Sequence, residues 1–279
     1  MTMKRIFSLI VAVAISSALP AFGSLSFYAP YDNNLNLTVG SPSTPSVNGA
    51  VPLVTGYAAY GMPGNAAHFD FTSHPDGDRL SYGQSSDYFA GVGNAVTIGA
   101  NSFRMLYKPD YSGLRGARST LLGVGAFGVN DSFYLETGDA FLGPWFRMTV
   151  SGVDQGFASL NNYSWDANTW YYLGVSFDST GSMLYVRPLT NNSAAATSTA
   201  VFTSSSWGVS GIAAQPVYVG NREVVNSFED ARGSIDDLKI FSGEKFSISD
   251  FHNDFAVVVP EQSAALLAAG ALAWLLRRR

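Results

Sequence analysis

The 279 residues contain no cysteine, which excludes a disulfide framework, a thiolate metal site and a cysteine nucleophile and leaves stability to packing. Charge is scarce, at 13% of residues, and no long amphipathic helical pattern occurs, so a helical domain is not expected. His68, His74 and His252 are the only histidines. Their positions give no metal-ligand spacing, and no Gly-x-Ser-x-Gly elbow is present to expose a nucleophilic serine. The five glutamates, Glu136, Glu223, Glu229, Glu244 and Glu261, nowhere form Glu-x-Asp-x-x-Glu, which on a strand would put paired carboxylates on one face for glycoside hydrolysis.

What is present favours strands. Phenylalanine (19), tyrosine (14) and glycine (28) are abundant, and Asn, Asp, Ser and Gly punctuate short apolar runs. In SFRMLYKPD, Phe103, Met105 and Tyr107 share one face while Arg104 and Lys108 share the other, the period of a half-buried strand ended by Pro109. WFRMTVSG repeats the pattern, with Phe146, Met148 and Val150 inward and Arg147 and Thr149 outward. WYYLGVSFDSTGSMLYVRP reads as a hairpin: Leu173, Val175 and Phe177 form a buried face, Asp178 to Gly181 turn, and Leu184 and Val186 continue. AHFDF, SFYLE, PVYVG and IDDLKIF are further strands. With about ten to fourteen such segments, the expectation is one all-β domain of two antiparallel sheets packed face to face. SPSTPSVNGAVP (Ser41 to Pro52) and TNNSAAATSTA (Thr190 to Ala200) read as surface loops within it.

Both ends are apolar. Lys4 and Arg5 precede the run IFSLIVAVAISSAL, and Ala21 and Gly23 fit a small-residue secretory cleavage site, so the mature chain is expected to start at Ser24. At the other end, the stretch from Ser263 to Leu276 would make roughly 21 Å of helix against about 30 Å of bilayer hydrocarbon. It is short for a permanent span and too apolar all round for a surface helix. Arg277, Arg278 and Arg279, with Lys4 and Arg5, put both ends on the cytoplasmic side and the body outside. Residues 24–256 keep 11 of 16 Lys and Arg and 20 of 21 Asp and Glu, a formal net charge of −9. That balance argues against nucleic acid or anionic lipid as partner.

Two resemblances refine this reading. The order W-Y-Y-L-G-V-S-F-D from Trp170, P-V-Y-V-G-N with Gly220 and Asn221, G-S-I-D-D-L-K-I-F from Gly233 to Phe241, and a last turn from about Ser247 resembles the laminin-G-like, concanavalin A-like jelly-roll domains of bacterial surface proteins. LSFYAPYDN and GNAAHFDF fit the opening strands of such domains more loosely, so the resemblance spans most of residues 24–256. It implies a two-sheet antiparallel jelly-roll sandwich, a fold that hosts both enzymes and binders. Laminarinase-type glucanases of similar fold carry the Glu-x-Asp-x-x-Glu that is missing here. Some relatives bind calcium at a loop edge, which makes Asp70, Asp76, Asp78 and Asp230 the candidate ligands, although the turn in HPDGDRL needs no metal to explain it. Trp165 in NNYSWDANTW and Trp207 in SSSWGVSG could stack on sugar rings as lectin-like loops do, with packing as their other role. Asp236 and Asp237, adjacent on a strand, should point to opposite faces and serve as structural hydrogen-bond acceptors.

The tail, with Val259, Pro260 and Glu261 before an apolar helix and three arginines, resembles the PEP-CTERM sorting signal, although Gln262 stands where the usual core has a second proline. That likeness implies transient attachment to the inner membrane and processing by an exosortase-type transpeptidase. The resulting expectation is a signal peptide (1–23), a jelly-roll domain (24–256) and a sorting tail (257–279), with apolar helical segments at both termini. The protein would be delivered by the secretion machinery to the envelope, outer surface or matrix. There it would be non-catalytic and lectin-like, associated with exopolysaccharide, with calcium as the one candidate cofactor. An extracellular polysaccharide-active enzyme and a purely structural envelope protein remain open.

Overall fold

In the computed structural model the described residues are 24–57, 64–70, 77–93, 96–114, 118–125, 131–138, 143–190, 193–208, 212–221 and 231–258. Ala21, Gly23 and the stretch from Val259 to Arg279, on which the targeting expectations rest, lie outside them. Among the described residues fifteen strands occur: β1 (Ser24–Ala29), β2 (Ser46–Asn48), β3 (Leu53–Thr55), β4 (Asn65–Phe69), β5 (Arg79–Gln84), β6 (Asn101–Pro109), β7 (Ser119–Val124), β8 (Ser132–Gly138), β9 (Gly143–Val150), β10 (Val153–Ser159), β11 (Tyr171–Asp178), β12 (Gly181–Pro188), β13 (Ala196–Val201), β14 (Pro216–Val219) and β15 (Gly233–Ser242). They form two antiparallel sheets. The larger runs β13-β12-β11-β6-β15-β4-β3, with β1 also paired to β15, and the smaller runs β10-β9-β8-β7-β14-β5-β2.

The period-two faces explain the sandwich. Phe103, Met105 and Tyr107 of β6 and Leu173, Val175 and Phe177 of β11 meet Phe133, Leu135, Phe146 and Met148 of the smaller sheet in one core. Phe146 and Phe177 stack between the sheets with ring centroids 5.5 Å apart. Each such side chain contributes about 1.5–3 kcal/mol by leaving water, which is how a chain without disulfides holds two sheets together.

One glycine fixes the approach of the sheets. Gly220, just after β14, has φ +90, and a Cβ there would fall on the Phe69 ring of β4 in the opposite sheet. Gly220→Ala therefore adds both backbone strain and a clash, and should lower unfolding stability by about 2–4 kcal/mol in urea titrations. A loss below about 0.5 kcal/mol would show that the contact is not tight.

Three features depart from the sequence expectation. Strand β13 begins inside TNNSAAATSTA, read as a loop, and runs one residue past it, and β2 lies inside SPSTPSVNGAVP. Runs of Ser, Thr and Ala have no apolar alternation, and the ladder to a neighbour decides their state. The expected short turn near Ser247 is an eleven-residue helix, α1 (Ile248–Val258), which passes the expected domain end at Ala256. Its start is capped reciprocally: Ser247 N donates to Asp250 Oδ2 (2.8 Å) and Asp250 N donates to Ser247 Oγ (3.3 Å). Finally, the outer face of β6 is not solvent. Phe251, Phe255 and Val258 of α1 pack on Leu106, Tyr172, Tyr185 and Phe241, so the larger sheet is covered on both sides.

Candidate functional site

Of the loop carboxylates, Asp78 is engaged by backbone. Asp78 is fully buried; its Oδ1 accepts from Ala50 N (2.9 Å) and its Oδ2 from Asp70 N (3.1 Å). The side chain thus ties the segment after β2 to the end of β4. Asp76 and Asp230 lie outside the described residues, and among the described residues no group of three or more His, Cys, Asp or Glu side chains converges to hold a metal ion.

Neither tryptophan is exposed, which leaves packing, not stacking on a sugar, as the role of both. Trp165 is fully buried, donates from Nε1 to Thr137 Oγ1 (2.9 Å), and meets Tyr107 and Tyr171 edge-on at 5.6 and 4.7 Å. Trp207, 2% exposed, packs on Phe133 at 6.3 Å. The loops that carry them fold back into the core, so their rings are unavailable to a sugar.

Beneath α1 lies a buried ionic cluster. Fully buried Arg104 donates from Nη1 to Asp237 Oδ2 (2.5 Å), and its Nε is 3.0 Å from Asp254 Oδ2; Asp254 also accepts from Tyr172 Oη (2.8 Å). One guanidinium therefore joins β6, β15 and α1. Asp237 sits at φ +45 in a bulge between Asp236 and Lys239 in the pairing with β6, and bulges break the alternation of a strand. The expectation of opposite faces fails for that reason. Asp236 shares the outer face with Leu106, its register partner, and accepts from Asp237 N (2.7 Å) and Tyr57 N (2.9 Å). Burial, then the neighbouring Asp237 and Asp32, pushes the Asp236 carboxyl up to about 8, while burial and then Arg104 pull the Lys239 ammonium down to about 8. Such shifts often mark reactive groups, but Arg104, Asp237 and Asp254 are enclosed between sheet and helix. The cluster is a clamp on α1.

The outer face of the smaller sheet is different. Register aligns Ser81, Tyr218, Gly123, Tyr134, Arg147 and Phe157 in one row across β5, β14, β7, β8, β9 and β10. The absent Cβ of Gly123 lets the Tyr134 ring lie across it, as a Cβ would be 2.5 Å from the ring. A second row holds Thr120, Glu136, Trp145 and Ser159. Guanidinium groups stand over aromatic faces three times: Arg79 over Tyr218 at 5.1 Å, Arg118 over Trp145 at 5.6 Å and Arg147 over Phe157 at 5.7 Å. Arg147 Nε donates to Asp154 Oδ1 (2.7 Å), which also accepts from Thr149 Oγ1 (3.0 Å). Thr120 Oγ1 donates to Glu136 Oε1 (2.9 Å), and Arg118 Nε lies 3.9 Å from Glu136 Oε2. Tyr134, Glu136, Trp145 and Tyr218 form a buried floor; Arg79, Arg118, Arg147 and Phe157 are half-buried, and Asp154 is exposed.

This face was missed in the sequence because its members come from six strands and meet only through register. The signal available was weak: Arg147 and Thr149 were read as outward, with nothing to say what stood beside them. Ser132 pairs with Thr149 and Thr149 with Asp154, so the backbone of Glu136, four residues along β8, is offset by about 13 Å from that of Asp154 along the strand direction. Glycoside hydrolysis needs paired carboxyls about 5–9.5 Å apart.

No family model and no curated protein sequence matches the chain. Solved structures do share its fold. Domain 4 of AbnA, a GH43 extracellular arabinanase from Geobacillus stearothermophilus solved in complex with arabinotriose, aligns with TM-score 0.56 at 17% identity, over 84% of this chain and 99% of that one. A botulinum neurotoxin type C structure, a toxin described as needing interaction with two ganglioside molecules to enter cells, aligns with TM-score 0.53 at 12% identity, over 88% and 52%. The enzymatically active domain of tailspike protein 2 of bacteriophage CBA120 aligns with TM-score 0.51 at 13% identity, over 78% and 32%. At such identities the likeness is one of fold: a β-sandwich of the jelly-roll kind.

Proposed function

We propose that this chain is an exported, non-catalytic surface or matrix protein whose sandwich contacts carbohydrate through the outer face of the smaller sheet, around half-buried Arg147 and Phe157. The observation that carries this reading is a half-buried ring with a half-buried guanidinium over it, Phe157 and Arg147, held in register on this face with Arg79 and Arg118 also half-buried. Aromatic rings suit the C–H faces of pyranose and furanose rings, and a guanidinium oriented by a carboxylate offers fixed donors to neighbouring hydroxyls. Asp154 already holds Arg147 in place, so little ordering cost remains for a ligand to meet. The arabinotriose in the arabinanase domain supports carbohydrate as the ligand class for this fold.

The backbone offset of about 13 Å between Glu136 and Asp154 favours binding without hydrolysis. Export rests on the Lys4/Arg5 pair, the apolar run and the Ala21/Gly23 site; sorting rests on Val259, Pro260, Glu261 and Arg277 to Arg279. In this reading the tail is held briefly in the inner membrane, an exosortase-type enzyme processes it, and the body joins the envelope or matrix. A glycan array probed with residues 24–258 should light up for one or more polysaccharides, and the same protein should release no reducing ends from them. An array blank under every condition would remove the carbohydrate reading, and reducing-end release would replace it with an enzymatic one.

A further inference from the structure

The four strands that end the two sheet paths are not equally protected; β1, off the larger path, is bridged on its free side at Tyr28 by Val39. An unpaired edge offers free N–H and C=O groups to any other strand, and folded proteins blunt it by shortness, charge, proline or a bulge. Edges β2 and β3 have three residues each. Edge β10 carries Asp154, a bulge between Asp154 and Phe157, and Gly156 at φ +115. Edge β13 has none of these: it is six residues long, reads Ala-Thr-Ser-Thr-Ala-Val, and pairs with β12 without a register break. It also lies in a run of 34 residues, Pro188 to Asn221, with no charged side chain.

The rim it presents can be derived. Phe202 N donates to Thr180 O (3.1 Å), so that pair is a hydrogen-bonded one, and alternation makes Ala200, Ser198 and Ala196 the residues bonded to β12. Thr197, Thr199 and Val201 then turn their N–H and C=O groups away from the sheet. Among the described residues no backbone group takes them up. Their side chains are the exposed ones of the strand, with Val201 82% exposed. Alongside, a cleft of about 460 Å³ lined by Met183, Thr199, Val201, Lys245, Phe246 and Ile248 keeps the outer side of the strand open.

We propose that β13 pairs with β13 of a second copy of this chain, antiparallel and centred on Thr199, joining two larger sheets into one. Thr199 would oppose its own counterpart and Thr197 would oppose Val201, each pair exchanging two N–H···O=C bonds. Charge places the contact at this edge. Two bodies of net −9 repel where acidic side chains meet, and a charge-free edge is where they can approach. The strand is also self-complementary, as a closed two-fold interface requires. This inference stands apart from the carbohydrate reading, although a dimer would present two smaller-sheet faces to one polymer and raise apparent affinity by avidity.

Sedimentation equilibrium of the full chain in detergent, set beside Thr199→Lys/Val201→Lys and beside Leu114→Lys as a control for exposed apolar contacts, tests it. The native chain and the control should be dimers, and the double variant should dissociate with a constant at least about tenfold higher, with a melting temperature equal to that of the native chain when both are measured dilute enough to be monomeric. Val201→Lys alone, at an exposed position, should weaken the dimer in the same direction should the double variant fail to fold. Amide exchange at Thr197, Thr199 and Val201 should slow with increasing concentration. A native chain that stays monomeric at all concentrations, or Lys variants that associate as tightly as the native chain, would overturn the proposal.

Discussion

Arg104→Met is expected to cost the sandwich about 3–5 kcal/mol of unfolding free energy, more than any surface substitution, because it leaves Asp237 and Asp254 buried without their shared guanidinium. Methionine keeps much of the arginine stem's volume, so the loss reports the charge. Lys239, 3.8 Å from Asp237 Oδ1, can compensate only in part, because burial already disfavours its own charge. A variant that also carries Asp237→Asn and Asp254→Asn should recover most of the loss, since the cost lies in the uncompensated carboxylates. Urea titrations compare the two. A single substitution that costs less than about 1 kcal/mol would mean that water reaches the cluster and that α1 is held by Phe251, Phe255 and Val258 alone.

The second large effect is in the pH dependence. An aspartate titrates near 3.9 in an unfolded chain, whereas Asp236 is pushed up to about 8 in the fold. Between those values the folded chain holds a proton that the unfolded chain has lost, so stability falls as pH rises from about 4 to about 8. Lys239 acts in the opposite window: it titrates near 8 folded and near 10.5 unfolded, so the unfolded chain binds more protons there and stability rises with pH. The corner formed by β1, β6 and β15 should therefore contribute a stability minimum near pH 8. Asp236→Asn keeps an oxygen for Tyr57 N and carries no charge, so it should flatten the falling limb and gain a few kcal/mol at pH 8. Melting temperatures from pH 4 to 10 decide this; a variant profile parallel to the native one would show that Asp236 ionises normally.

These effects concentrate where the sequence was hardest to read. The period-two faces of Phe103, Met105 and Tyr107, of Phe146, Met148 and Val150, and of the β11–β12 hairpin were legible because burial on one side of a pleated strand dictates alternation. The bulge at Asp237 was not legible, since a positive φ at an aspartate leaves no periodic trace. Its consequence is that two neighbouring carboxylates expected on opposite faces lie on the same one. The role of Arg104 was hidden likewise. A lone cation between apolar residues reads as an outward face until the helix that covers it is seen.

Loops were less legible. Polar neighbours left Trp165 and Trp207 open to either stacking or packing, and both plug the core, while β13 read as a loop because its residues are small. The candidate site was the least legible part. Tyr134, Arg147, Phe157 and Tyr218 are ordinary outward strand residues one by one, and become a surface only when β14, β7, β8, β9 and β10 are laid side by side.

The carbohydrate reading is tested most directly by equilibrium titration of the best array polysaccharide into the native protein, Arg147→Ala and Phe157→Ala. Arg147 and Phe157 are half-buried, so both variants should fold, and each should weaken binding by about tenfold or more, the loss of one fixed donor or one ring contact. A polysaccharide that binds both variants as tightly as the native protein, with melting temperatures unchanged, would contradict the assignment of the ligand to this face.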